Sequence, residues 1–241
     1  MKNGRIMDTI GKRWQAIKAR IRAAALDAGR APDSVSLLAV SKAHPASAMR
    51  ELFLAGQRQF GENYLQEALA KQEQLQDLAI EWHFIGPIQS NKTQPIAQHF
   101  HWVHSVDRAK IADRLNAARE PGQTALQVCI QVNVSGESSK SGTSAADAIA
   151  LADHIRQLPK LRLRGLMAIP APTDDPQEQR SQFRAVRNIY DRLQSAGHDL
   201  DTLSMGMSED FPAAIQEGAT IVRVGSAIFG ARIKPTAEQS I

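Results

Sequence analysis

The chain has 241 residues, 43% of them hydrophobic and 22% charged, which excludes a disordered chain and suits one large α/β barrel or two small domains of an ordinary soluble globular protein. A formal net charge of +4 with only 5% aromatic residues argues against nucleic acid as a partner, because basic residues are spread among acidic ones and few rings remain to stack bases. The lone Cys129 rules out an internal disulfide and a cysteine metal cluster. The opening residues lack an apolar signal region and no segment reaches the length of a membrane span, so the expected location is the cytoplasm, with no membrane partner.

In chain order, residues 1–30 read as a basic amphipathic helix with Ile10, Trp14, Ile17, Ile21 and Ala25 at helical spacing and Gly29 as its stop. Its apolar stripe predicts packing on the body of the protein. After Pro32 come eight apolar, β-rich runs: Val35–Val40, Gln59–Gly61, Trp82–Ile85, Trp102–Val106, Ala125–Val134, Leu161–Ile169, Thr202–Met205 and Thr220–Val224. Between them lie helical patterns at Ala46–Ala55, Tyr64–Leu75, Lys92–His99, Arg108–Ala118, Ala145–Leu158, Gln177–Ala196 and Pro212–Gln216. Strand–helix alternation implies parallel pairing, and a count of eight favours a closed (β/α)8 TIM barrel over a doubly wound sheet. With no interdomain linker in view, residues 1–241 are expected to form a single domain, the first helix packed on the barrel.

Polar and glycine-containing stretches collect just after the strands, where barrel active sites are built. Lys42 ends the run VSLLAVSK. Strand parity turns it inward if Leu38 and Val40 point inward. An amine there can lose its proton by desolvation and attack a carbonyl, or simply snorkel to water. On the last run Ile221, Arg223 and Gly225 share one face. An inward Arg223 needs an acceptor, supplied either by a ligand or by a carboxylate closing the barrel internally.

Gly206 and Ser208 after the seventh run, and Gly225 and Ser226 after the eighth, fit the recurrent barrel phosphate site, where backbone N–H groups and a hydroxyl approach an anion. Asn63 either holds a planar ligand or caps the next helix. His83 lines the barrel or is a satisfied core histidine, Lys140 reads as solvated in a loop, and Met205 and Met207 read as packing. Histidine, cysteine and acidic residues show no metal-ligand spacing, and no Ser/His/Asp motif stands out. An amine, a phosphate cradle and a counter-group for a ring on one barrel mouth suggest pyridoxal 5′-phosphate, joined as an imine to Lys42 and facing Arg223 with its ring nitrogen. A guanidinium there disfavours the protonated ring and restrains it as an electron sink.

The segments LLAVSKAHP from Leu37, FGENYLQEA from Phe60, WHFIGPIQSNK from Trp82, VNVSGESSKSG from Val132, RGLMAIP from Arg164, LSMGMSEDFPAAI from Leu203 and RVGSAIFGAR from Arg223 resemble the pyridoxal phosphate homeostasis protein family. That family is related to the N-terminal barrel of alanine racemase, the type III fold of pyridoxal phosphate enzymes. Ile88 stands where leucine is commoner in the family.

The resemblance covers about Val35 to Gly230. It implies a modified barrel with pyridoxal 5′-phosphate on Lys42, its phosphate held by Ser208, Gly225 and Ser226, Arg223 beside them, and Asn63 near the ring. It implies a Schiff-base binding protein that influences vitamin B6 and amino-acid pools with no established catalytic turnover. Pyridoxal-phosphate-dependent apo-enzymes are the expected acceptors, and a monomer is expected because no long apolar helix face is left over once the barrel is assigned. The contrasting reading is a monomeric racemase or related enzyme. That reading needs an acid/base group opposite Lys42, with Tyr64 and Tyr190 the available tyrosines, since the expectation is that no second domain follows the eighth unit. A further reading, in which the basic first helix docks a partner or nucleic acid, is the weakest.

Overall fold

A computed structural model describes residues 3–134 and 141–230. Eight strands, β1 (Ser36–Val40), β2 (Gln59–Glu62), β3 (Glu81–Phe84), β4 (Trp102–Val106), β5 (Leu126–Gln131), β6 (Leu161–Met167), β7 (Thr202–Ser204) and β8 (Ile221–Val224), pair in parallel and in sequence order into a closed barrel. The helices are α1 (Asn3–Asp27), α2 (Ala46–Leu54), α3 (Leu65–Gln74), α4 (Thr93–His99), α5 (Ala109–Ala118), α6 (Ala145–Arg156), α7 (Pro176–Ser195), α8 (Phe211–Gln216) and α9 (Ser226–Phe229). The (β/α)8 architecture expected from eight runs is what the chain forms.

Alternation along the strands sorts the core into layers. Leu37, Ala39, Phe60, Val103, Val222 and Val224 belong to the large apolar cluster between barrel and helices. Leu38, Val40, Ile85 and Ile221 form a separate cluster inside the barrel, and Trp102, Cys129 and Met167 form another. The β1–β8 register sets Leu38 opposite Arg223, so the parity that turns Lys42 and Arg223 inward holds.

Two strands end well short of their apolar runs: β5 stops at Gln131 and β6 at Met167. Single backbone bonds continue past both ends, from the Val132 N–H to the Met167 carbonyl and from the Ala168 N–H to the Ser204 carbonyl. A register shift between Val128 and Cys129 accompanies Gly165, whose φ of 156° and contact with the Thr202 backbone leave no room for a side chain.

The stripe Ile10, Trp14, Ile17, Ile21 of α1 is buried, and α1 lies against α2, α8 and α9. Trp14 Nε1 donates to Gln57 Oε1 at 2.9 Å and Arg13 Nε donates to the Ile228 carbonyl at 2.7 Å. Gly29, at φ 68°, ends the helix in the left-handed conformation that favours glycine. Among the described residues no helix is long and apolar enough to cross a membrane.

Candidate functional site

The C-terminal ends of the strands open into a cavity of about 680 Å³, within the usual range for small-molecule sites. Lys42, Asn63, Ser208, Arg223, Gly225 and Ser226 all line it, although they come from the ends of four different strands. Val40 and Ile85 form an apolar part of the wall. His44 is stacked on Phe229 with ring centroids 4.9 Å apart and lines it too.

Lys42 follows β1 in a turn whose next residue, Ala43, has φ 61°, a conformation costing an L-residue on the order of 1–2 kcal/mol. Gly225 opens α9, and a Cβ there would come within 3.0 Å of the Val40 carbonyl oxygen. A side chain there would press on β1, so glycine gives β8 its easiest turn into α9. The first amides of α9 have no intrahelical acceptor and lie beside the Ser226 hydroxyl.

Several expectations are corrected. Asn63 does not cap α3: the cap position is Tyr64, without a side-chain cap bond. Instead the Asn63 Oδ1 is buried with no hydrogen-bond partner, so the amide has a bond to offer to a molecule in the cavity. Among the described residues no carboxylate forms an ion pair with Arg223. Its Nη1 donates to Ser204 O at 2.5 Å and Ser204 Oγ at 2.9 Å, and its Nη2 to the Ala168 carbonyl at 2.8 Å. Met205 is core, but Met207 is partly exposed and lines the cavity. Tyr64 is exposed and lies outside the cavity lining. Lys140 lies outside the described residues.

A buried polar chain inside the barrel was not anticipated from the sequence. His104 Nδ1 lies 2.8 Å from Ser204 Oγ, His104 Nε2 lies 2.9 Å from His83 Nδ1, and His83 Nε2 lies 2.8 Å from Glu81 Oε1. Donor bookkeeping sets the direction of every bond. The hydrogen bond from His83 holds the Glu81 carboxyl below its usual range, so Glu81 accepts from His83. A neutral His83 then accepts at Nδ1 from His104, and His104 accepts from the Ser204 hydroxyl, whose oxygen receives Arg223. Burial keeps both histidines neutral by pulling them below the ordinary imidazole value, His104 well below.

Burial also pulls the Arg223 guanidinium down to about 10, still charged at neutral pH. His83 is thus a satisfied core histidine, and its partner His104 was legible in WVHSV only by carrying strand parity through Trp102. Ile169, Pro170, Pro172, Thr173 and Asp174 after β6, with Pro176 and Gln179 at the start of α7, also line the cavity.

Alone among the cysteines by number, Cys129 is buried inside the barrel, where desolvation pushes its thiol up to about 12. Among the described residues no group of His, Cys, Asp and Glu is arranged to hold a metal ion.

The family "Alanine racemase, N-terminal domain" matches residues 13–233. The chain is similar to the pyridoxal phosphate homeostasis protein of Pseudomonas aeruginosa, 60% identical over 226 residues that cover 94% of this chain and 97% of the relative. It is also similar to the protein of the same name from Escherichia coli, 49% identical over 229 residues covering 94% and 98%. Among solved structures it resembles PipY of Synechococcus elongatus with PLP bound, at 40% identity and a TM-score of 0.81, covering 92% of this chain and 100% of that one. With an eight-stranded parallel barrel and relatives this similar along nearly their whole length, the chain belongs to the pyridoxal phosphate homeostasis protein family, built on the alanine racemase N-terminal fold.

Proposed function

We propose that the chain binds pyridoxal 5′-phosphate in the barrel mouth, linked covalently to Lys42, and serves vitamin B6 and amino-acid homeostasis by holding and releasing the cofactor rather than by catalytic turnover. The observation that carries this reading is the convergence of Lys42, Asn63, Ser208, Arg223, Gly225 and Ser226 on one cavity. When bound, the cofactor would supply an aldehyde able to condense reversibly with an amine, with release of one water. Lys42 provides the amine. Ser208, Ser226 and the Gly225 backbone offer donors suited to a phosphate. The unpartnered Asn63 oxygen suits a polar substituent of a ring.

Arg223, a donor held in place by Ser204 and Ala168, would present positive charge to a bound ring and disfavour protonation of its nitrogen, which would keep the cofactor chemically quiet. We place the protein in the cytoplasm as a single-domain monomer, with pyridoxal-phosphate-dependent apo-enzymes as acceptors. The racemase alternative has less support: Tyr190 spends its hydroxyl on the Leu200 carbonyl at 2.7 Å, and Tyr64 is outside the cavity lining.

The test is the visible spectrum of the purified chain with added pyridoxal 5′-phosphate, wild type beside Lys42→Ala, followed by borohydride reduction and peptide mass mapping. A band lost in the variant and a pyridoxyl adduct on Lys42 are expected. No adduct would return Lys42 to a solvated strand-end lysine. Lys42-dependent exchange of amino-acid α-protons into heavy water would overturn the carrier reading in favour of an enzyme.

A further inference from the structure

We propose that Glu67 and Lys71 of α3 form a backbone clamp that sets the direction of Lys42, which makes them positioning residues for the amine; this rests on the reading of Lys42 given above. Lys42 is the second residue of a four-residue turn, Ser41–His44, closed by the His44 N–H on the Ser41 carbonyl at 3.1 Å. Its third residue, Ala43, is the one non-glycine with positive φ among the described residues. Positive φ at that place marks a type II turn, which favours glycine or asparagine. Alanine occupies it here, held by two charged side chains.

Glu67 Oε1 accepts the Ala43 N–H at 2.6 Å. Lys71 Nζ donates to the Ser41 carbonyl at 2.8 Å, to Glu67 Oε1 at 2.5 Å and to Glu62 Oε1 at 2.7 Å. Glu62 Oε1 also accepts from Ser41 Oγ at 2.6 Å. The Ser41 carbonyl belongs to the peptide unit before Lys42 and the Ala43 N–H to the unit after it. The relative orientation of those two planes is the φ and ψ of Lys42 itself, and so aims its Cα–Cβ bond. The two groups that grip them sit one helical turn apart on α3, and each bonds the other.

Glu62 is fully buried and Lys71 nearly so. A well-packed apolar pair would hold the same space at least as stably. What the ionic arrangement adds is direction: donors and acceptors aimed at two peptide groups that flank one amine. The same helix begins two residues after Asn63, so the segments that follow the neighbouring strands β1 and β2 are tied to one element.

The experiment compares wild type, Glu67→Ala, Glu67→Gln and Glu67→Ala with Ala43→Gly, all as full chains. It reads the rate of uptake of pyridoxal 5′-phosphate at Lys42 by stopped-flow absorbance, and deuterium exchange of the Ala43 amide in the ligand-free proteins. Removing the acceptor in Glu67→Ala is expected to slow uptake about tenfold. Glutamine, which keeps an acceptor oxygen, should lose far less, and glycine at 43 should recover much of the Glu67→Ala loss by removing the conformational penalty.

Equal losses for Ala and Gln with no recovery by glycine would mean that Glu67 acts through its charge and would overturn the clamp. So would an unprotected Ala43 amide in the folded wild type. That exchange measurement needs no ligand, so it judges the clamp even where a missing Lys42-dependent band has sunk the functional reading.

Discussion

Replacing Lys71 by methionine tests the energetics of the buried cluster behind the first turn of the site. The substitution keeps the packing volume of the stem and removes the ammonium that lies 2.7 Å from Glu62 and 2.5 Å from Glu67. Burial already raises the Glu62 pKa in the native protein, against the lowering effect of Lys71. Stranding that carboxylate should cost about 3–5 kcal/mol, a large part of a total stability of about 5–15 kcal/mol.

The cost depends on pH in a definite direction. A carboxyl whose folded pKa lies above its unfolded value contributes stability that is fully present below the unfolded pKa and is lost as pH rises through the folded pKa. In the variant Glu62 is raised further, so acidification should recover stability by about 1.4 kcal/mol per pH unit while the folded form holds one extra proton. Urea unfolding at pH 7 and pH 5 measures this. The variant's deficit relative to wild type should shrink at pH 5, and adding Glu62→Gln should restore most of the loss at pH 7 and abolish the pH slope. A loss below about 1 kcal/mol, a deficit equal at both pH values, or no restoration by Glu62→Gln would refute the reasoning.

Three further outcomes are expected. Ser226→Ala should weaken pyridoxal 5′-phosphate binding by about 1–2 kcal/mol and leave the melting temperature of the ligand-free chain nearly unchanged; equilibrium titration and calorimetry check both, and an unfolded variant with unchanged affinity per folded molecule would remove the phosphate role. Because the folded pKa of His104 is depressed by burial, the unfolded chain takes up a proton near pH 6.5 that the native chain refuses, so stability present above that pH is lost on acidification. His104 alone contributes about 1.4 kcal/mol of loss by one unit below that pH, and an NMR signal assigned to the His104 imidazole that titrates near 6.5 in the native state would contradict it. Cys129, with its thiol pushed up to about 12 inside the barrel, should resist alkylation at pH 8 until the protein unfolds; rapid native-state labelling would refute its burial.

Much of this protein was legible from local pattern. Short apolar runs separated by helical periodicity marked all eight strands, because a strand and a helix each bury a face with a period that depends only on neighbouring residues. Strand parity carried that logic into the site, turning Lys42, Arg223 and Gly225 inward on the strength of Leu38, Val40 and Ile221. Small residues beside hydroxyls after the last two strands pointed to the mouth, since loops that follow barrel strands converge there.

What pattern left open was the partner of each polar group. His104 and Ser204 are 100 residues apart, and the ring closure that joins β4 to β7 through the barrel interior decides that Arg223 bonds a serine and a carbonyl rather than a carboxylate. Asn63 obeys the local statistics of a helix cap, yet the chain turns one residue later and frees its amide for the cavity. Ala43 adopts a glycine-like conformation because α3 reaches across to hold its N–H. Periodicity is a property of adjacent residues and is written in the sequence; a hydrogen bond between distant strands exists only once the barrel closes, and only the tertiary structure decides it.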